Sequence, residues 1–134
     1  RLGIPVLRNE SVRLDEFGFT LVGIDDMDAG KADVRRAFRG VDPDGKTVVM
    51  VHNPNVVLDI HQRFDYLMCG HFHGKQFRVP FVFYVKDKGP LARMGIVRGM
   101  HRTRYGTYYI SAGVGQANVN ARFLIRSELT VHEL

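Results

Sequence analysis

The 134-residue sequence holds a single cysteine, no tryptophan and no long apolar run. With Cys69 alone, an intramolecular disulfide is excluded. A lone thiol suits a reducing compartment. The longest apolar stretches have the length of a strand, Val48-Val49-Met50-Val51 among them. None approaches the roughly 20 residues that cross a bilayer as a helix. The opening residues Arg1-Leu2-Gly3 start no apolar signal region, and no initiator methionine stands before them. The sequence therefore reads as an excised or trimmed piece of a longer chain. Acid is also missing where it would balance base. Residues 88–127 carry seven Lys and Arg and no Asp or Glu, whereas residues 1–87 carry 12 of each sign. The net charge of +5 thus belongs to one segment. Such a field attracts phosphate esters, nucleic acid or acidic lipid head groups. A solvated basic face is the plainer alternative.

What is present is ordinary for a globular domain. Hydrophobic residues make up 45% and charged residues 25%, which excludes disorder, collagen-like repeats and a coiled coil. Val6 to Leu14 and Phe19 to Ile24 read as strands joined by the turn Asp15-Glu16-Phe17-Gly18. Lys31 to Phe38 reads as a short helix, and Asp42-Pro43-Asp44-Gly45 as a turn. Thr47 to Val51 is a buried strand by its β-branched run. Asn53-Pro54 then offers a helix cap and a first helical residue, which predicts a helix from Pro54 to about Gln62. Tyr66 to Cys69 is a further strand. From Phe77 onward the pattern predicts strands only: Phe81 to Val85, Tyr108 to Ser111, Arg122 to Ile125 and Leu129 to Val131. Alternating strands and helices with a β-rich tail describe an α/β fold.

Three histidines close predicted strands. His52 ends Val48–Val51, and His71 and His73 follow Leu67-Met68-Cys69-Gly70. In open α/β sheets ligands bind beyond the carboxyl ends of the strands. Neutral imidazole there is a common ligand for borderline metals. A His-x-His pair by itself is a weak pointer. Glycines on both sides, Gly70 and Gly74, and a second strand also ending in His sharpen it. His61, His101 and His132 read as surface or core residues, with His101 a candidate phosphate contact. Asp25 and Asp26 have no ligand spacing to the histidines and read as turn or cap residues. Gly113-Val114-Gly115 reads as a tight turn. Tyr105, Tyr108 and Tyr109 read as strand packing, with stacking on bases the alternative.

Val49-Met50-Val51-His52-Asn53-Pro54 resembles the fourth motif of the calcineurin-like metallophosphoesterases. Leu67-Met68-Cys69-Gly70-His71-Phe72-His73-Gly74-Lys75-Gln76 resembles their fifth, Gly-His-x-His. Val6-Leu7-Arg8-Asn9-Glu10 is similar to the strand after the family's Gly-Asn-His motif. Leu21 to Asp26, Tyr109 to Gly115 and Ser127 to Val131 resemble segments of a bacterial branch that includes membrane-associated phosphoesterases. The resemblance implies an α/β fold, the C-terminal half of a four-layer α/β/β/α sandwich with mixed sheets, over residues 1–134 as part of a single domain. It implies two divalent metal ions, manganese foremost with iron or zinc as alternatives. His52 and His71 would bind the second ion and His73 the first. It implies hydrolysis of a phosphate ester or pyrophosphate: a phosphorylated small molecule, a nucleotide or a lipid head group. A cytoplasmic or cytoplasmic-membrane setting fits that branch, with peripheral membrane association. The family's Asp-x-His, Gly-Asp-x-x-Asp and Gly-Asn-His motifs are absent from this sequence. The missing N-terminal half of the domain would supply them, and residues 1–134 alone would be inactive. Phe72, Lys75 and Ala112 depart from the family's usual Thr, Gly and Arg; the first two would reshape the pocket or add a phosphate contact, and the last removes an anion ligand.

The rival reading is a non-catalytic module that binds metal or nucleic acid. The residues encoded upstream of Arg1 discriminate the two. A plain structural domain is a third reading; it predicts no change in metal content when His71 and His73 are both replaced.

Overall fold

The computed structural model describes residues 3–75, 88–116 and 121–133. Among the described residues six strands form one mixed sheet: β1 Glu10–Leu14, β2 Phe19–Gly23, β3 Thr47–Met50, β4 Tyr66–Cys69, β5 Gly99–Arg102 and β6 Thr107–Ile110. Their order is β1-β2-β3-β4-β6-β5. β2, β3, β4 and β6 run parallel, and β1 and β5 close the two edges antiparallel. The expected α/β class is borne out. The strand expected at Phe81 to Val85 lies outside the described residues.

Alternation along the strands gives the sheet two different faces. One carries Val22, Val49, Leu67, Tyr108 and Ile110, all buried, beneath Phe38, Val56, Val57, Ile60, Phe64 and Leu91. Truncating a fully buried core residue such as Leu67 to Ala costs about 2–5 kcal/mol. By register the other face carries Val12, Leu21, Val48, Met50, Tyr66, Met68, Tyr109 and Met100. Of these, Met50 and Met100 are exposed by half or more. The C-terminal segment crosses this second face. Tyr109 Oη donates to Glu128 Oε1 at 2.6 Å, and Tyr66 Oη lies 2.9 Å from His132 Nδ1. Leu129 and Val131, between those anchors, face solvent at 90% and 86% exposure.

Several boundaries move for local reasons. The first strand begins at Glu10 because Asn9 takes a left-handed φ of 54°. Its side chain is a buried anchor: Oδ1 accepts from the amides of Asp25 and Asp33, and Nδ2 donates to the Lys31 carbonyl. The expected helix over Lys31–Phe38 shrinks to α1, Val34–Ala37, where Asp33 caps the Arg36 amide at 2.9 Å. The helix expected from Pro54 is a 3-10 turn ending at Leu58. Asn55 spends its amide on tertiary bonds there, and Val56 and Val57 are poor helix formers. A strand-only tail was also expected, yet α2, Pro90–Arg93, intervenes. Its proline in the first turn is the cue that such a reading passes over. Arg122 to Ile125 and Leu129 to Val131 are irregular or extended chain without strand pairing beyond an isolated bridge at Phe123. Leu124, with φ 57°, breaks the first of them.

No described helix is long and apolar enough to cross a membrane.

Candidate functional site

The four parallel strands all point their carboxyl ends to one rim, and four loops leave it side by side. The β2 loop carries Asp25, Asp26 and Asp28. The β3 loop carries His52 and Asn53, the β4 loop His71 and His73, and the β6 loop Gly113 and Gly115. Each loop touches its neighbour in sheet order. Asn53 Nδ2 donates to Asp28 Oδ1 at 2.9 Å. His71 Nε2 lies 3.5 Å from Asp28 Oδ2, and His71 Nδ1 lies 3.3 Å from His52 Nε2. His73 Nδ1 sits 3.0 Å from the Gly115 carbonyl oxygen.

The loop after β4 achieves this by an unusual backbone. His71, His73, Gly74 and Lys75 have φ of 69°, 51°, 61° and 70°. For the three non-glycine residues each left-handed turn costs about 1–2 kcal/mol. Such strain concentrates at functional sites. Phe72 anchors the loop: its ring is buried in the core at 4% exposure. Its ring also lies against that of His71, centroids 5.5 Å apart, so it packs between the core and the rim. Arg122 ties the far side down. Its guanidinium donates to the carbonyls of Ala112, Gly113 and Gly115, with a longer bond to that of His73.

The geometry suits metal ligation by the first pair. Two imidazole nitrogens each about 2.0–2.1 Å from one ion, at an angle near 100°, stand about 3.2 Å apart. The His52 Nε2 to His71 Nδ1 separation of 3.3 Å matches that span. The rings meet edge to face, centroids 5.1 Å apart. Burial, foremost, and then the cation of Lys88 lower the His71 pKa, which favours the neutral ring that a metal needs. His73 is oriented differently. A carbonyl only accepts, so Nδ1 carries the proton toward Gly115 and Nε2 keeps its lone pair. Among the described residues, no three His, Cys, Asp or Glu side chains gather into a metal cage. His52 and His71 come together; His73 turns to the β6 loop.

The other sequence candidates fall elsewhere. Asp25 Oδ1 accepts from the Asp26 amide and Asp26 Oδ1 from the Asp28 amide, the turn role expected of them. His61 packs on Tyr105 and His132 on Tyr66. His101 Nε2 is engaged with the Arg98 carbonyl at 2.9 Å. Tyr108 is core, Tyr109 binds Glu128, and Tyr105 lies under the Arg104 guanidinium at 4.7 Å. Cys69 is buried, donates to the Tyr109 carbonyl, and has its pKa pushed up to about 12 by burial, so it is no nucleophile. The basic segment is split by topology: β5 runs antiparallel to β6, so Arg98 lies toward the rim while Arg102 and Arg104 lie at the opposite end of the sheet. There they border an open cavity of ≈ 340 Å³ with Arg63 and Tyr105.

Sequence reasoning missed Asp28 and gave Asn53 only a capping part. Asp28 was legible only as the third acid in a run after a strand, a pattern shared by many turns.

The chain is 34% identical over 98% of its length to a Bacillus subtilis (strain 168) protein named uncharacterized metallophosphoesterase YkoQ, covering 50% of that protein. It is 32% identical to the Escherichia coli (strain K12) phosphodiesterase YaeI, covering 48% of it. A second Bacillus subtilis protein, uncharacterized metallophosphoesterase YkuE, is 27% identical and 47% covered. The chain thus spans about half the length of the curated relatives it matches. No family model matches it, and no solved structure does.

Proposed function

The chain belongs to the calcineurin-like metallophosphoesterase family, and from that premise we propose that it supplies the histidine side of a dinuclear phosphoesterase centre. The observation that carries the proposal is the pair His52 Nε2 and His71 Nδ1, 3.3 Å apart at the carboxyl rim of the parallel strands. His52 and His71 would hold one divalent ion and His73, through Nε2, the other. Bound ions would supply Lewis acidity at phosphorus and an activated water at neutral pH. The chain's own residues supply imidazole donors. Burial lowers the His71 pKa, and the Gly115 carbonyl faces His73 Nδ1, leaving Nε2 turned to the ion. Carboxylates to bridge two dications belong, in this reading, to a partner half of the same domain. Relatives about twice as long support it.

The same reading makes the sheet one of two in a four-layer sandwich. Its second face, with Met50 and Met100 half or more exposed, would meet the sheet of the other half. The substrate is a phosphate ester or pyrophosphate; a relative named phosphodiesterase favours a diester.

The test uses the full encoded chain. His71→Ala should lose one metal equivalent by elemental analysis and most hydrolysis of an aryl phosphodiester, since even a lost partner of a ligand costs about 10–100-fold. Retention of both metal content and rate would refute the assignment.

A further inference from the structure

At the rim, one carboxylate that the sequence reading passed over is held more firmly than a surface acid. Asp28 Oδ1 accepts from Asn53 Nδ2 at 2.9 Å, and its own amide is bound by Asp26 Oδ1 at 2.9 Å. Asn53 is 3% exposed and is itself fixed. Its Oδ1 accepts from the Asn55 amide at 3.0 Å and from Asn55 Nδ2 at 2.9 Å. Asn55, 5% exposed, also donates through Nδ2 to the Lys88 carbonyl at 2.7 Å and accepts from the Leu91 amide at 3.1 Å. A buried amide relay thus runs from the segment at 88–91 through Asn55 and Asn53 to Asp28. With Oδ1 occupied, Oδ2 faces His71 Nε2 at 3.5 Å.

We propose that Asp28 is the positioning carboxylate of the histidine pair, fixing the His71 ring so that Nε2 carries the proton and Nδ1 faces His52 with a free lone pair. The inference rests on the reading of His52 and His71 as ligands. An imidazole has one proton to place when neutral, and the group opposite each nitrogen decides where it sits. A carboxylate oxygen only accepts, and its negative charge 3.5 Å from Nε2, longer than a hydrogen bond, favours the proton on that nitrogen. That leaves Nδ1 as the donor atom on the side where His52 Nε2 converges. A ligating histidine whose other N–H is given to a carboxylate is oriented and made more basic by it. The plain alternative is a surface ion pair, since the Asp28 side chain is 57% exposed. Such pairs are individually weak because solvent screens them and both partners move. Here the carboxylate is tethered at its other oxygen and at its amide, and the His71 side chain is only 12% exposed. Little freedom remains to be lost on forming the contact.

The experiment compares the full encoded chain with its Asp28→Ala and Asp28→Asn variants, using two readouts. Nitrogen-15 NMR of the metal-free proteins reports the His71 tautomer. Titration with Mn²⁺, and separately with Zn²⁺, reports affinity. The wild type should show the Nε2–H form of His71. Asp28→Ala should give a mixture of tautomers and bind metal about 10–100-fold more weakly. Asp28→Asn should fall between the two, because its amide oxygen still accepts. Wild-type tautomer and affinity in Asp28→Ala would overturn the proposal. If His71→Ala leaves metal content unchanged, the ligand reading fails by itself; the tautomer measurement still decides whether Asp28 orients the ring.

Discussion

Replacing Gly89 by alanine should damage the protein far more than its small size suggests. Gly89 precedes α2 with φ 92° and ψ −175°, backbone in which only glycine is at ease. An alanine there carries about 1–3 kcal/mol of backbone strain. Its Cβ would also stand 2.6 Å from Asn55 Nδ2, 2.9 Å from Cγ and 3.0 Å from Oδ1. Asn55 cannot step aside cheaply, because its amide bonds Asn53, Lys88 and Leu91 inside the protein. Breaking one or two of these leaves buried polar groups unpaired, at about 1–3 kcal/mol each. The two effects together come to about 2–9 kcal/mol, a large share of the roughly 5–15 kcal/mol that holds a domain folded. Gly40→Ala is the control: φ is 76°, and nothing lies within 4 Å of the added Cβ. It should cost about 1–2 kcal/mol, from backbone conformation alone. Urea unfolding of the full encoded chain, followed by circular dichroism, measures both. If the two variants are destabilised equally within about 0.5 kcal/mol, the steric reasoning about Asn55 is wrong. Because Asn55 fixes Asn53 and Asn53 fixes Asp28, Gly89→Ala should also weaken Mn²⁺ binding.

Four further outcomes are expected. Arg122→Met should lower stability by about 2–3 kcal/mol, since charge-assisted bonds to the Ala112, Gly113 and Gly115 carbonyls disappear; an unchanged urea midpoint would contradict this. Burial raises the Glu128 pKa, but hydrogen bonds from Tyr109, Thr130, the Ala112 amide and Ser111 outweigh it and leave the group below 4.5. Its stabilising share is therefore intact above pH 4.5 and lost as pH falls through the lowered value, and Glu128→Gln should flatten that part of a stability–pH curve. Neutralising Arg102 and Arg104 should leave KM for a phosphodiester unchanged, because they lie at the far end of the sheet, whereas neutralising Arg98, on the rim side, should raise it and flatten its salt dependence. Residues 1–134 expressed alone should self-associate in sedimentation and hydrolyse no phosphate ester; a soluble monomer with robust manganese-dependent turnover would refute the half-domain reading.

The central strands were legible because their signal is strong and local. Thr47 to Met50 is almost wholly buried and β-branched, and Tyr66 to Cys69 alternates. His52, His71 and His73 were legible for the same reason, since each follows one of those runs. Strand β5, Gly-Met-His-Arg, has no such pattern, being an edge strand that needs only one neighbour. The tail misled in the opposite sense. Leu129 and Val131 alternate like a strand, yet it is Glu128 and His132, on either side of them, that hold the segment to Tyr109 and Tyr66 of the sheet through side chains. Asp28 was illegible because its meaning depends on Asn53, 25 residues away. Nothing in either local sequence announces that partnership.

The left-handed loop from His71 to Lys75 sets what directed evolution for heat resistance would do to this protein. Lys75 is exposed with φ 70°, so glycine or asparagine there relieves strain without removing an imidazole. His71 and His73 sit in the same kind of backbone, and glycine would relieve them equally well. A screen that rewards only thermal tolerance would therefore accept substitutions at all three positions. One that also demands metal retention would accept only the first. The two imidazoles occupy backbone that glycine would suit better, so folding alone does not account for them.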